Sequence, residues 1–273
     1  MHYLITGGAR GIGRVLARSL LTSGHRVFVI DSNAAELAHT SSLLRSIAPA
    51  ASAATHEADI SSLPALRAAI AEADKFFGGR LDVLVNNAMA LPHTFPVDAG
   101  EGEAAMASTA EEQRVVEHWD RQIAVGLSGP FHASRLCVPM LREAEPVGCV
   151  VNISSTRARM AEVDHEGYSA AKAGLLGLGQ AMSVSLGTRY GIRVNGIVVG
   201  WVNVEGEGEE GDRKGWKWEE GLGEEDHKWH PAGRVGKGED VLGAVEYLVR
   251  SGWVTGTEMV LDGGVTRRMV YPE

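Results

Sequence analysis

Cysteine is scarce in this chain: Cys137 and Cys149 are the only two among 273 residues, each inside an apolar stretch. That usage excludes a disulfide framework and fits small buried thiols in a reducing, cytoplasmic setting. Long apolar runs are missing too. No uncharged apolar run reaches the roughly 18 residues that cross a bilayer, and Met1 leads straight into His2-Tyr3-Leu4-Ile5-Thr6 without a charged leader or cleavage site. A soluble protein with no membrane partner is expected. Basic charge is in deficit, with 26 Lys and Arg against 35 Asp and Glu for a net −9. The cationic footprint of a nucleic-acid binder is therefore absent, and the expected partner is a small molecule.

What is present is an alternation. Short β-branched runs at 2–6, 26–31, 81–86, 149–154, 193–199 and 258–261, with a weaker one at 53–58, read as strands buried on both faces. Between them, 13–22, 63–77, 111–141, 168–190 and 239–250 carry helical spacing. The pattern predicts one α/β domain over 1–273, a doubly wound parallel sheet with helices on both faces.

Two stretches break the rhythm. Residues 91–109 are rich in Gly, Ala and Pro and read as an excursion before a helix that starts at the capping-box-like Thr109-Ala110-Glu111-Glu112. Residues 205–230 are crowded with Gly and acids yet hold Trp216, Trp218 and Trp229 in a chain only 6% aromatic. Three such side chains have little use in a solvated acidic loop, so a mobile lid with an apolar inner face is expected at about 201–232. A disordered surface insertion is the alternative.

Thr6-Gly7-Gly8-Ala9-Arg10-Gly11-Ile12-Gly13 follows a strand and opens a helix. Glycines there let the backbone turn tightly beside a pyrophosphate, and the helix start offers unpaired N–H groups. The second strand ends in Asp31, 18 residues after Gly13. A carboxylate at that point accepts hydrogen bonds from ribose hydroxyls and repels a 2′-phosphate, which favours NAD; Arg10 in the turn keeps NADP open.

With later motifs the chain resembles the short-chain dehydrogenase/reductase family, whose fold is of Rossmann type. The spacing is Gly-x-x-x-Gly-x-Gly from Gly7, followed by Asp59-Ile60, Asn86-Asn87-Ala88, Asn152-Ile153-Ser154-Ser155, Tyr168-Ser169-Ala170-Ala171-Lys172, the run from His230 to Gly236, and Asp262-Gly263-Gly264. The resemblance implies cofactor contacts at Gly7, Arg10, Gly11, Ile12, Gly13, Asp31, Asp59, Ile60, Asn87 and Ala88, with Gly200 and Val202 beside the nicotinamide and Asn203 or Val204 near its carboxamide. It also implies a homotetramer or dimer built through 111–141 and 168–190.

Tyr168 and Lys172 are four apart at a helix start, so they share a face. A nearby ammonium is expected to lower the phenol pKa into a useful range, making Tyr168 an acid/base. Ser154 or Ser155 ends the preceding strand; alternation lets one of them reach the cleft, and family spacing selects Ser155. The expected reaction is hydride transfer between nicotinamide and a secondary alcohol or ketone. Tyr168 exchanges the hydroxyl proton, Ser155 bonds the same oxygen, and Lys172, by the resemblance, holds the nicotinamide ribose. No metal is required, and His227-x-x-His230 lacks the further ligands of a metal site.

Two departures from the family stand out. Gly126 occupies the place of an asparagine that helps relay protons, so a weakened relay, a bent helix and a gain of turnover in Gly126→Asn are expected. Val199-Gly200 replaces Pro-Gly. Both keep open an alternative, a dinucleotide-binding sensor or scaffold that catalyses poorly.

Overall fold

The computed structural model describes residues 1–49, 51–94 and 109–269. Its centre is a seven-stranded, all-parallel sheet in the order β3-β2-β1-β4-β5-β6-β7. The strands are β1 (His2–Thr6), β2 (Arg26–Asp31), β3 (Ala53–Glu57), β4 (Val83–Asn86), β5 (Cys149–Ser155), β6 (Arg193–Val199) and β7 (Glu258–Leu261). These follow the expected runs closely. β4 starts two residues late because the Leu81 amide donates to Met140 O, outside the ladder.

Side chains alternate between two cores, as the pleat requires. Leu4, Leu84, Val150 and Val194 face one; Tyr3, Ile5, Val83, Val85, Val151 and Ile197 face the other. The first core is closed by helices α3 (Leu63–Phe77), α5 (Gly129–Leu141) and α6 (Glu166–Tyr190), the second by α1 (Gly11–Thr22), α2 (Ala34–Ile47) and α9 (Gly238–Arg250). The doubly wound Rossmann-type sheet is thus observed. Cys137 and Cys149 are free and buried in opposite cores, and burial pushes their thiols up to about 12 and about 11.

The chain winds outward from β1 to β3, then returns to lay β4 on the other side of β1. Connections therefore diverge between β1 and β4, opening a crevice at the strand carboxyl ends. Helix α2 was not visible in the sequence. Only Leu37, Thr40 and Leu44 are buried on it, too sparse a stripe among Ala, Ser and Thr to register.

The expected long helix over 111–141 is α4 (Thr109–Ile123), a π-helical turn at Ala124–Ser128 and α5 in succession, so the backbone does leave α geometry around Gly126. The side chains of the expected cap at 109–111 lie outside the described residues, as does most of the 91–109 excursion. Residues 205–230 hold two short helices, α7 (Glu209–Lys214) and α8 (Glu224–Lys228). Among the described residues no helix is long and apolar enough to cross a membrane.

Beneath the crevice, Asn86 at the end of β4 donates to Ser134 Oγ on α5 at 3.1 Å and to Asn152 Oδ1 on β5 at 2.8 Å, all three buried. Asn86→Ala leaves both acceptors without this donor. It is expected to lower unfolding free energy by about 2 kcal/mol, read from urea denaturation at unchanged slope.

Candidate functional site

The glycine turn is held from β4. Asn87 Nδ2 donates to Gly7 O at 2.7 Å and Thr6 O at 3.2 Å, while Thr6 Oγ1 accepts from the Asn87 and Ala88 amides at 3.1 and 3.2 Å. Gly7 has φ +68°, and a Cβ there would sit 2.5 Å from Ala88 Cα; a Cβ on Gly13 would meet Gly7 O at 2.1 Å. No other residue fits either place.

Over this turn opens a cavity of about 900 Å³. Of the sequence-expected cofactor residues, Gly7, Arg10, Gly11, Asp31, Asp59, Ile60, Asn87, Ala88 and Val202 are on its wall, together with Asn203 and Val204. Ile12, Gly13 and Gly200 are not among the wall residues. Ile12 packs on the core, Gly13 supports Gly7, and a Cβ on Gly200 would touch Asp262 Cα at 2.7 Å, so these three shape the turn and the β6 end from behind. Asp31 is oriented by the Ala9 and Asn33 amides, each at 2.9 Å, which leaves carboxylate lone pairs for a ligand. A wall with an extended glycine turn at a helix start and a carboxylate at the end of β2 fits a dinucleotide.

The lid segment bears on the same wall with acids, not tryptophans. Glu205, Glu207 and Glu210 line the cavity, whereas Trp216 and Trp229 are exposed, with Lys214 and Arg268 over their rings, and Trp218 donates to Gly236 O at 3.0 Å beneath Lys237. The expected apolar inner face is thus not formed by these residues; Trp201 supplies the aromatic wall. Cation contacts satisfy the tryptophan faces at the surface instead. Buried Arg14 on α1 bonds Asp212 and lies 3.5 Å from Glu207, Arg18 bonds Glu207 at 2.8 Å, and His39 reaches Asp212 at 2.7 Å. The Gly11 amide, at the start of α1, donates to Glu207 O at 2.8 Å. This amide is one of those the sequence assigns to a pyrophosphate.

At the other end β5 and α6 bring Ser155, Tyr168 and Lys172 together. The Ser155 hydroxyl acts on the Tyr168 phenol, favouring its ionised form, and the Lys172 ammonium is 5.6 Å from the Tyr168 ring centroid, donating to Ile153 O at 2.8 Å. Ser154 turns the other way, its Oγ donating to Lys172 O at 2.8 Å. Alternation therefore resolves the serine pair as family spacing did. Burial raises the Tyr168 pKa, against the partial lowering by Ser155 and Arg157. The expected lowering by Lys172 is not found, because burial dominates and the ammonium is spent on a strand carbonyl. Burial likewise lowers Lys172 to about 8. None of the three is itself on the cavity wall; His93 is, and its ring lies on Tyr168 at 4.5 Å between centroids.

A family model described as enoyl-(acyl carrier protein) reductase matches residues 7–266. The chain belongs to the short-chain dehydrogenase/reductase family. It is 33% identical to an uncharacterized oxidoreductase of Thermotoga maritima, covering 99% of this chain and 97% of that protein. It is 29% identical to (3R)-3-hydroxyacyl-CoA dehydrogenase of Mus musculus over 96% of this chain and 95% of that one. Levodione reductase superposes with a TM-score of 0.77 at 26% identity, over 98% of each chain. A short-chain dehydrogenase/reductase is an oxidoreductase working with a nicotinamide cofactor, and that much holds for this chain.

Within the family frame, Gly126 has a local explanation. A Cβ there would meet Met89 Sδ at 2.7 Å, Met89 Cε at 2.9 Å and Ala171 Cβ at 2.9 Å, so Met89 fills the space beside the π-turn. An asparagine at 126 has to displace the Met89 side chain before it can reach a relay position. Residues that sequence reasoning missed are His93, Met89, Glu36, Arg14 and Glu207. Of these only Arg14, a charge within the apolar stripe of α1, left a readable signal.

Gly126→Asn alone is expected to lose about 1–3 kcal/mol of stability by overpacking, and Gly126→Asn with Met89→Ala to recover most of it, measured by urea unfolding. Lys172 carries a pH signature. Its folded pKa of about 8 lies below the ordinary 10.5, so between those values the unfolded chain binds more protons and stability rises with pH. Relative to Lys172→Met, the cofactor-free wild type should gain stability from pH 8 to 10.5 and show a constant offset below pH 7.

Proposed function

We propose that the chain is an NAD-dependent dehydrogenase/reductase that interconverts a secondary alcohol and its ketone, with Tyr168 as acid/base, Ser155 bonding the reacting oxygen, and Lys172 supporting Tyr168 and the nicotinamide ribose. The observation that carries the reading is the grouping of Ser155, Tyr168 and Lys172 behind His93, which lines a cavity shared with the glycine turn and Asp31.

A bound nicotinamide dinucleotide supplies the hydride or accepts it; the protein supplies everything else. Tyr168, kept protonated at neutral pH by burial, is ready to donate to a forming alkoxide; Ser155 and the Arg157 charge favour the phenolate that results, and Lys172 lies beside the ring at 5.6 Å. The Ser155 hydroxyl stabilises charge on the same oxygen. Residues Gly7, Arg10, Gly11, Asp31, Asp59, Ile60, Asn87, Ala88 and Val202 form the dinucleotide wall, Ile12, Gly13 and Gly200 brace it, and 201–232 act as the lid.

Preference for NAD over NADP rests on charge. Asp31, Glu36, Glu207 and Glu210 share a wall with Arg10, while the wall's Arg121 is paired to Asp59, so a 2′-phosphate meets several carboxylates. A homotetramer or dimer through α4, α5 and α6 is supported by exposed Val116, Trp119, Phe131 and Val184 on those helices. A cytoplasmic location suits the free buried thiols.

NADH fluorescence titration is expected to give binding at least tenfold tighter than NADPH, a gap that Asp31→Asn narrows. Tyr168→Phe should keep NADH affinity while losing about 10² to 10⁴ in turnover of secondary alcohols and ketones. Equal turnover in Tyr168→Phe overturns the assignment; NADH binding by wild type with no turnover of any such substrate favours the sensor.

A further inference from the structure

His93 is the cavity wall at the catalytic end. It follows β4 and lines the cavity together with Met89 and Leu91, while its ring rests on Tyr168 at 4.5 Å and 34°. The segment is held from α4: Pro92 O accepts from Gln122 Nε2 at 2.7 Å, and His118 Nε2 lies 3.2 Å from the same oxygen. Gln122 is buried. His165, at the start of α6, closes on Tyr168 edge-on at 6.1 Å, so the phenol ring is covered by imidazoles on two sides.

Tyr168 itself is absent from the cavity wall, so a substrate that brings an oxygen to its hydroxyl from the cavity must lie against the His93 ring. A ring stacked on another keeps its nitrogens in its own plane, at the edge, where they meet whatever lies alongside. Among the described residues neither His93 nitrogen has a hydrogen-bond partner, and neither is a sealed orphan, so both are open to a ligand. Burial, with smaller contributions from Lys172, His165 and Arg10, lowers the His93 pKa to about 4. The imidazole is therefore neutral at physiological pH. One nitrogen donates, the other accepts, and neither offers an ion pair to a carboxylate.

We propose that His93 is a specificity residue: its imidazole hydrogen-bonds a second, uncharged oxygen of the substrate, a hydroxyl or carbonyl one or two carbons from the carbon that changes oxidation state. The inference rests on the alcohol/ketone reading above and deepens it. The preferred substrate class is accordingly a hydroxyketone, diketone or diol, with the remote oxygen on the His93 side and the reacting oxygen on Tyr168 and Ser155. A plain ketone of the same length forfeits one hydrogen bond and leaves the imidazole edge desolvated and unpaired, which costs about tenfold in specificity.

The test is NADH-dependent reduction of matched pairs, hydroxyacetone against acetone and 4-hydroxy-2-butanone against 2-butanone, by wild type, His93→Phe and His93→Asn. His93→Phe keeps a ring on Tyr168 and removes the nitrogens; His93→Asn removes the ring and keeps a donor and an acceptor. Wild type should show a KM about tenfold lower for at least one hydroxyketone than for its plain partner. His93→Phe should abolish that difference, raising the hydroxyketone KM and sparing the plain ketone the unpaired imidazole, with kcat on the hydroxyketone within about threefold, and His93→Asn should restore part of it. A His93→Phe enzyme that retains the hydroxyketone preference, or that loses activity equally on both members of a pair, overturns the role of His93 while leaving the redox reading intact. A wild type that binds NADH and reduces no member of either pair overturns both.

Discussion

Lys172 and β5 exchange two hydrogen bonds, and the site depends on that clasp. Its ammonium donates to Ile153 O, and its own carbonyl accepts from Ser154 Oγ, both at 2.8 Å and both buried. The exchange sets the start of α6 in depth and rotation against the strand. Tyr168, one turn earlier on the same face, is then carried to Ser155, the next residue of the strand after Ser154. A lysine buried this fully carries a desolvation penalty, visible in its lowered pKa, and the carbonyl answers only part of it. On the proposed function, the ribose hydroxyls of a bound dinucleotide are the further acceptors that relieve it.

The opposite end of the crevice is organised by charge. Arg14 is buried on α1 among Val15, Leu16 and Ala17, and it draws Glu207 and Asp212 down onto the helix start. In this arrangement a lid carbonyl takes the Gly11 amide, and Glu36 takes the Glu209 amide at 3.0 Å. The amide at the start of α1 and a carboxylate of the cavity wall are thus occupied by the lid itself. On the proposed function, dinucleotide binding exchanges these bonds for its own.

The sheet was legible because parallel strands buried on both faces leave continuous β-branched runs, and β1, β2, β6 and β7 fall where those runs lie. The serine, tyrosine and lysine were legible because their spacings are local: one strand end and one helical turn. What escaped had long-range causes. Helix α2 buries too narrow a stripe to be periodic, and the lid tryptophans gave a false lead because cations on neighbouring segments cover them at the surface. Met89 explains Gly126 only once β4 and the π-turn are side by side, and His93 is one histidine among ten until the Pro92 carbonyl is seen pinned to α4. The Tyr168 pKa was misjudged for the same reason: spacing reports a neighbouring charge but not burial.

The most direct measurement is a crystal structure of the chain with NADH bound. The account predicts the pyrophosphate against the Gly7 to Gly13 turn with Glu207 O displaced from the Gly11 amide, the adenosine ribose on Asp31, and the nicotinamide end beside Tyr168 and Lys172. A dinucleotide lying elsewhere, or a Tyr168 hydroxyl directed away from the nicotinamide and from Ser155, contradicts it.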